Sequence, residues 1–275
     1  MNRRNHRPKK NRPQSMSPDL REQILADFST LKVPLTAEQF DALLARAERE
    51  GLSHLEFTHR LIAEQAAQRR ERSIAHRIRE AGFRDDVTLA GFDWEFNAKT
   101  IDRVQIENLA TCDFIRRRNN LIFVGQSGVG KSRIIQSIGR QACVQGLRVR
   151  YRTSAALLED LNASLADHTM LERVRYYARF DFLIIDEFGF DRIERKATPE
   201  SASLLYKVID ARLSQRSTAL VTNIDFQAWA AYLDDSQLAM AFTDRLVDGA
   251  IILKLKGKSY RAHRSGHDSP EKTKS

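Results

Sequence analysis

Two cysteines among 275 residues rule out a disulfide framework. Cys112 and Cys143 lie in helix-like segments and not at metal-ligand spacing, so they read as reduced thiols packed like small apolar residues. Long apolar runs are also missing. Stretches such as 182–185 and 250–253 are far too short to cross a bilayer. The basic start Met1-Asn2-Arg3-Arg4 is not followed by an apolar stretch, which argues against a secretory signal. No internal repeat is found, which argues against a solenoid. These absences lead to the expectation of a cytoplasmic protein with no membrane partner.

What is present is an ordinary globular balance, 42% hydrophobic and 29% charged, with a net charge of +9. An excess of that sign suits a polyanionic partner, because Lys and Arg release counterions when they contact nucleic-acid phosphates. Its distribution is more telling. The first 18 residues carry Arg3, Arg4, Arg7, Lys9, Lys10 and Arg12 with no acid. Near the other end stand Lys254, Lys256, Lys258, Arg261 and Arg264. Both stretches read as loosely held basic arms of the kind that reach for nucleic acid, and a solubilising tail is the plainer alternative.

Periodicity divides the chain. Residues 1–18 form a basic disordered tail and 19–82 a helical N-terminal domain. Residues 83–99 make a linker, 100–262 a larger α/β domain, and 263–275 a second tail. Within the helical part, 18–31 and 36–49 read as short helices, the second opened by the Thr36/Gln39 capping box and stopped at Gly51. Ser53 with Glu56 opens a longer helix that ends at Gly82. Its stretch 68–79 carries Arg69, Arg70, Arg72, Arg77 and Arg79 around Ile74 and Ile78. One face could pack while the other meets phosphate; a solvated, salt-bridged helix serves equally well. The aromatic, aperiodic linker is expected to lie against the next domain. Thr100 is expected to cap a helix reaching about Arg117. Apolar strands at 121–124, 148–151, 182–185, 219–222 and 250–253 then alternate with helices. That pattern predicts an α/β fold with a parallel five-stranded sheet flanked by helices.

The first strand runs into Gly125, Gln126, Ser127, Gly128, Val129, Gly130, Lys131 and Ser132, followed by a helix. This is G-x-x-x-x-G-K-[ST] in the strand-then-helix context that the motif needs. Glycines let the loop turn its backbone N–H groups onto phosphate oxygens, and the helix N-terminus adds partial positive charge. Lys131 would bridge the outer phosphates, and the Ser132 hydroxyl would sit on a magnesium ion. About 55 residues later the strand 182–185 ends in Asp186 and Glu187, a Walker B arrangement. Asp186 would hold the magnesium through its water shell, and Glu187 would orient and deprotonate the attacking water. Acids do end strands as turn residues, but this position after a phosphate loop favours chemistry. The adjacent Glu187 argues for hydrolysis over phosphoryl transfer to a small molecule. Asn223 ends the next strand, where a polar side chain can reach the γ-phosphate or the water; Asn is otherwise a common turn residue.

Over roughly residues 30–262 the chain resembles AAA+ ATPases. More closely it resembles the IstB-like ATP-binding proteins, transposition helper subunits of bacterial insertion sequences that are related to the helicase loader DnaC. The matching stretches are 109–115, 141–143, 183–189, 209–212 and 217–223. The most distinctive are 243–250 (TDRLVDGA) and 255–261 (LKGKSYR). The resemblance implies a P-loop AAA+ core preceded by a small all-helical N-terminal domain. It implies that Arg245 is an arginine finger acting on ATP held by a neighbouring subunit, and hence a ring or helical homo-oligomer. A pairing of Arg245 with Asp244 or Asp248 is the plainer alternative. It also implies that Arg212 lies near the subunit interface. The loop departs from the family in ending Lys-Ser, which preserves the hydroxyl, and the chain ends too soon after the last strand for a C-terminal lid.

ATP and Mg2+ are thus the expected cofactors, with double-stranded DNA and a transposase as partners. The leading expectation is an ATP-hydrolysing helper that oligomerises on duplex DNA and recruits or regulates its transposase. A DnaC-like replicative helicase loader is the alternative. It calls for an apolar docking face where residues 69–79 are instead rich in Arg. A small-molecule kinase is disfavoured by Asp186-Glu187 and Arg245.

Overall fold

The computed structural model describes residues 18–190 and 200–264, so the basic segment before Pro18 and the end of the second tail lie outside it. Contacts divide the chain into one unit up to Ser73 and another from Ile74. The first unit holds α1 (Pro18–Thr30), α2 (Ala37–Glu50) and most of α3 (His54–Ala81). Thr36 and Gln39 form the reciprocal capping box of α2, and Gly51 follows in the left-handed region with φ 64°. Ser53 and Glu56 bond reciprocally at the start of α3. The core here is small. Phe40, Leu43 and Leu61 are buried, with Ile24, Leu25, Phe28 and Phe57 against them. Three such side chains are worth about 5–9 kcal/mol before chain entropy is subtracted, so this unit is modestly stable by itself.

The second unit is a three-layer α/β structure. Its five strands are β1 (Leu121–Gly125), β2 (Val149–Thr153), β3 (Phe182–Phe188), β4 (Ser217–Thr222) and β5 (Ile251–Leu255). They lie in the order β2-β3-β4-β1-β5 with every described pairing parallel. Both faces of the inner strands β1, β3 and β4 are covered, which is why these are continuously apolar, whereas the edge strands β2 and β5 alternate between buried and more exposed positions. Leu121 and Phe123 belong to the core containing Ile134, Ile135 and Ile138 of α6 (Lys131–Val144). Ile122 and Val124 point to the opposite core, with Leu157 and Leu161 of α7 (Ser154–Ala166) and Tyr177 of α8 (Met170–Ala178). That second core also takes in Leu205 of α9 (Ser201–Asp210), Trp229 of α10 (Trp229–Leu233) and Phe242 of α11 (Ser236–Val247).

Several boundaries differ from expectation. The helix expected from Thr100 to Arg117 is two pieces. α4 (Arg103–Ala110) is capped by Asp102 through the Gln105 N–H, and α5 (Asp113–Arg116) follows a break where Cys112 adopts φ 61°. Cys112 and Cys143 are both buried in the core, and burial pushes their thiols up to about 11 and about 12, the state of inert reduced cysteines. Residues 83–99 lie against the sheet unit. Phe83 packs on its core, and the Arg84 and Asp85 N–H groups both donate to the buried Gln136 side chain on α6. The basic stretch up to Arg264 also departs from a loosely held arm, since residues 260–264 form a short helix, α12 (Tyr260–Arg264). No described helix is long and apolar enough to cross a membrane.

Candidate nucleotide-binding site

The carboxyl ends of the parallel strands converge on a cleft of ≈ 690 Å³. That is the place where open α/β sheets bind ligands, and the size suits a nucleotide. Its floor is the loop after β1. Gly130 precedes α6 with φ 101°, a conformation that side chains other than glycine rarely take. Gly128 has φ 85° and lies so close to Ser259 that a Cβ there would collide with its side chain. Ser127, Gly128, Val129, Gly130, Lys131 and Ser132 all line the cleft. Gly125 and Gln126 lie beneath it, their carbonyls accepting from the Lys131 ammonium at 2.6 and 2.8 Å. Burial lowers the proton affinity of Lys131, Asp186 opposes this, and Arg261 reinforces it. An anion in the cleft would relieve both costs.

The second wall is the end of β3. Asp186 is 1% exposed, and its carboxylate accepts from the Tyr151 hydroxyl at 2.8 Å, from the Glu187 N–H at 2.8 Å and from the Ser132 hydroxyl. Burial raises its proton affinity above that of an ordinary carboxylate, while those donors pull it down. A cation beside it would offset the burial. The donor set of one carboxylate and one hydroxyl fits Mg2+, which takes its remaining ligands from phosphates and water. Among the described residues there is no cluster of three His, Cys, Asp or Glu side chains fit for a metal held by protein alone. Glu187 has φ 60° at an irregularity in the β3–β4 pairing. A non-glycine residue held in this region is costly and is found mainly where function demands a direction for the side chain. Here it keeps Glu187 on the cleft, with its carboxylate 2.7 Å from the Arg84 guanidinium. Asn223, just after β4, lines the same cleft.

Arg245 does not line the cleft of its own chain. It does not pair with Asp244 or Asp248 either; its Nε donates to Asp210 at 2.6 Å. Arg212, which the resemblance places near a subunit interface, is 1% exposed and turned into its own unit, where it donates to the carbonyls of Tyr177 and Phe180 and to the Thr218 hydroxyl at 2.8–2.9 Å. It is a structural arginine that ties α8 and the loop before β3 to β4.

Sequence reasoning missed part of the cleft. Phe92 and Phe96 line it from the expected linker, Ile101 from just beyond it, and Tyr260, Arg261 and Arg264 from α12. Phe96 lies edge-on to Tyr260, with ring centres 5.1 Å apart. The aromatic walls suit a base, and the arginines suit phosphate. The missing signal was register. Gly125 of β1 is level with Leu255 of β5, so the chain leaves β5 beside the phosphate loop, and the Tyr260 N–H donates to the Gly128 carbonyl at 3.0 Å.

A parallel sheet ordered β2-β3-β4-β1-β5, with this loop after the inner strand β1 and paired acids at the end of β3, defines a P-loop nucleotide-binding protein of the AAA+ type. The model of the IstB-like ATP binding protein family matches residues 26–267, and the chain belongs to that family. It is 32% identical to the candidate ATP-binding protein of insertion sequence IS5376 from Geobacillus stearothermophilus, covering 88% of this chain and 94% of that one. It is 29% identical to the counterpart of insertion sequence IS232 from Bacillus thuringiensis, covering 87% and 94%. Among solved structures, DnaI superposes with a TM-score of 0.51 at 18% identity over 62% of this chain and 91% of that one, a likeness of fold.

Proposed function

We propose that this protein is an ATP-hydrolysing helper of transposition that assembles on duplex DNA and presents that DNA to a partner transposase. The observation that carries hydrolysis is Glu187, held at φ 60° on the rim of a cleft that also contains Lys131, Ser132, Asp186 and Asn223. In this reading Lys131 and the loop N–H groups bind the phosphates, and Ser132 and Asp186 would hold Mg2+, which would supply charge neutralisation at the phosphates. Glu187 takes the proton of the attacking water, and Asn223 orients it. Arg245 would serve the nucleotide of a neighbouring copy, which makes turnover depend on assembly. The insertion-sequence names of the relatives support transposition, and the net charge of +9 supports a polyanionic partner.

The test is direct. ATP should promote cooperative binding to double-stranded DNA that weakens steeply with salt. Lys131→Ala should abolish ATP binding, and Glu187→Gln should keep binding and assembly while stopping turnover. Normal hydrolysis by Glu187→Gln refutes the base assignment. Failure to bind duplex, with co-purification of a hexameric helicase, refutes the helper reading.

A further inference from the structure

Arg245 is held from three directions. α11 presents it near its C-terminus, against α9. Its Nε donates to Asp210 at 2.6 Å, and its guanidinium carbon stands 4.9 Å from the centre of the Tyr206 ring. Tyr206 and Asp210 are four residues apart on α9, so they share one face of that helix. The backbone end is held separately. The Asn120 side-chain amide donates to the Arg245 and Leu246 carbonyls at 3.3 and 3.1 Å, and Asn120 immediately precedes β1, the strand that leads into the phosphate loop. The Thr218 N–H donates to the same Asn120 side chain at 2.9 Å.

An ordinary surface ion pair between two long, mobile side chains contributes little. This arrangement differs because ring, carboxylate and capped helix end all restrict one guanidinium, and because the bonds made within the chain use Nε and Nη1. A planar fork anchored through Nε still has its outer edge to offer to phosphate oxygens. Arg245 lies outside its own cleft, so a phosphate it met would belong to another copy.

We infer that Asp210 and Tyr206 are positioning residues, a mount on α9 that presents the Arg245 guanidinium to the terminal phosphate of a nucleoside triphosphate bound by a second copy of this chain. The inference rests on the proposed action of Arg245 in trans. The mount lowers the freedom the side chain must lose at the transition state, and immobilising one such side chain corresponds to about a three- to tenfold effect on rate. Asn120 ties the same helix end to β1.

Subunit mixing isolates the mount. An Arg245→Ala acceptor keeps its own nucleotide site, and a Lys131→Ala donor keeps its own arginine; together they should hydrolyse ATP where each alone does not. Adding Asp210→Asn to the donor should lower the restored kcat about three- to tenfold, with KM unchanged because KM is set by the acceptor's cleft. Tyr206→Ala in the donor should act likewise, and Tyr206→Phe should restore fully because the ring remains. Melting temperatures of the donors, measured alongside, should match. Donors carrying Asp210→Asn and Tyr206→Ala that restore as much turnover as the parent donor overturn the mount while leaving action in trans intact. A parent donor that restores nothing overturns action in trans, and the mount with it.

Discussion

Replacing Arg212 separates a structural arginine from an interfacial one. Its guanidinium reaches the Tyr177, Phe180 and Ser217 carbonyls and the Thr218 hydroxyl, all in the interior of the second unit. Each buried acceptor left without a donor costs about 1–3 kcal/mol, so Arg212→Met forfeits roughly 4–12 kcal/mol of contacts. Burial of the charge works the other way. It pulls the guanidinium down to about 9, which still leaves it protonated at neutral pH, and that cost is returned when the charge is removed. The net loss should therefore be about 3 kcal/mol, equivalent to roughly 6–12 °C in melting temperature for a unit of this size. Arg212→Lys should fall between the two, because an ammonium keeps the charge but cannot span four acceptors. Thermal unfolding followed by circular dichroism, with ATP binding measured well below the transition, reads both quantities. A variant that melts within about 2 °C of the parent yet loses ATP hydrolysis would refute the reasoning and return Arg212 to a subunit interface.

Asp186→Asn should stabilise the nucleotide-free protein at neutral pH while abolishing Mg2+-dependent turnover, because it removes a charge whose burial is unfavourable. Since the folded-state proton affinity of Asp186 is raised, the parent recovers stability as the pH falls and this carboxylate protonates. The advantage of the variant should therefore shrink on acidification, and an advantage independent of pH would refute the argument. Arg84→Ala should free the Glu187 carboxylate from its 2.7 Å ion pair and leave it open to water. Basal turnover should rise a few-fold; a fall in rate would instead show that Arg84 holds Glu187 in its working position. Gly128→Ala should weaken ATP binding by at least about tenfold, since its Cβ would displace Ser259 from a loop already at φ 85°. Titration with a fluorescent ATP analogue checks this.

Local chemistry made much of this protein legible from sequence. Strand-loop-helix with GQSGVGKS, apolar strands that end in acids, and the Thr36/Gln39 box are short-range patterns whose physical cause lies within a few residues, and they appear in the structure where expected. The parallel sheet followed from strands spaced by helices. What sequence could not reveal depended on which distant segments meet. Arg212 and Arg245 are both arginines of the ATPase-type segment, yet one is sealed behind four acceptors and the other lies against Asp210 and Tyr206. No local pattern separates them, because burial is a property of the packed layers. Likewise Lys256, Lys258 and Arg261 read as a loose basic end. Only the Gly125–Leu255 register brings that stretch to the phosphate loop and sets Tyr260 and Arg261 in the cleft. Sequence by itself determined that a nucleotide site exists and where its loop begins. Tertiary structure decided what lines it and which arginines are buried, because strand register and helix packing are settled by contacts between segments distant in the chain, as far apart as Gly125 and Leu255.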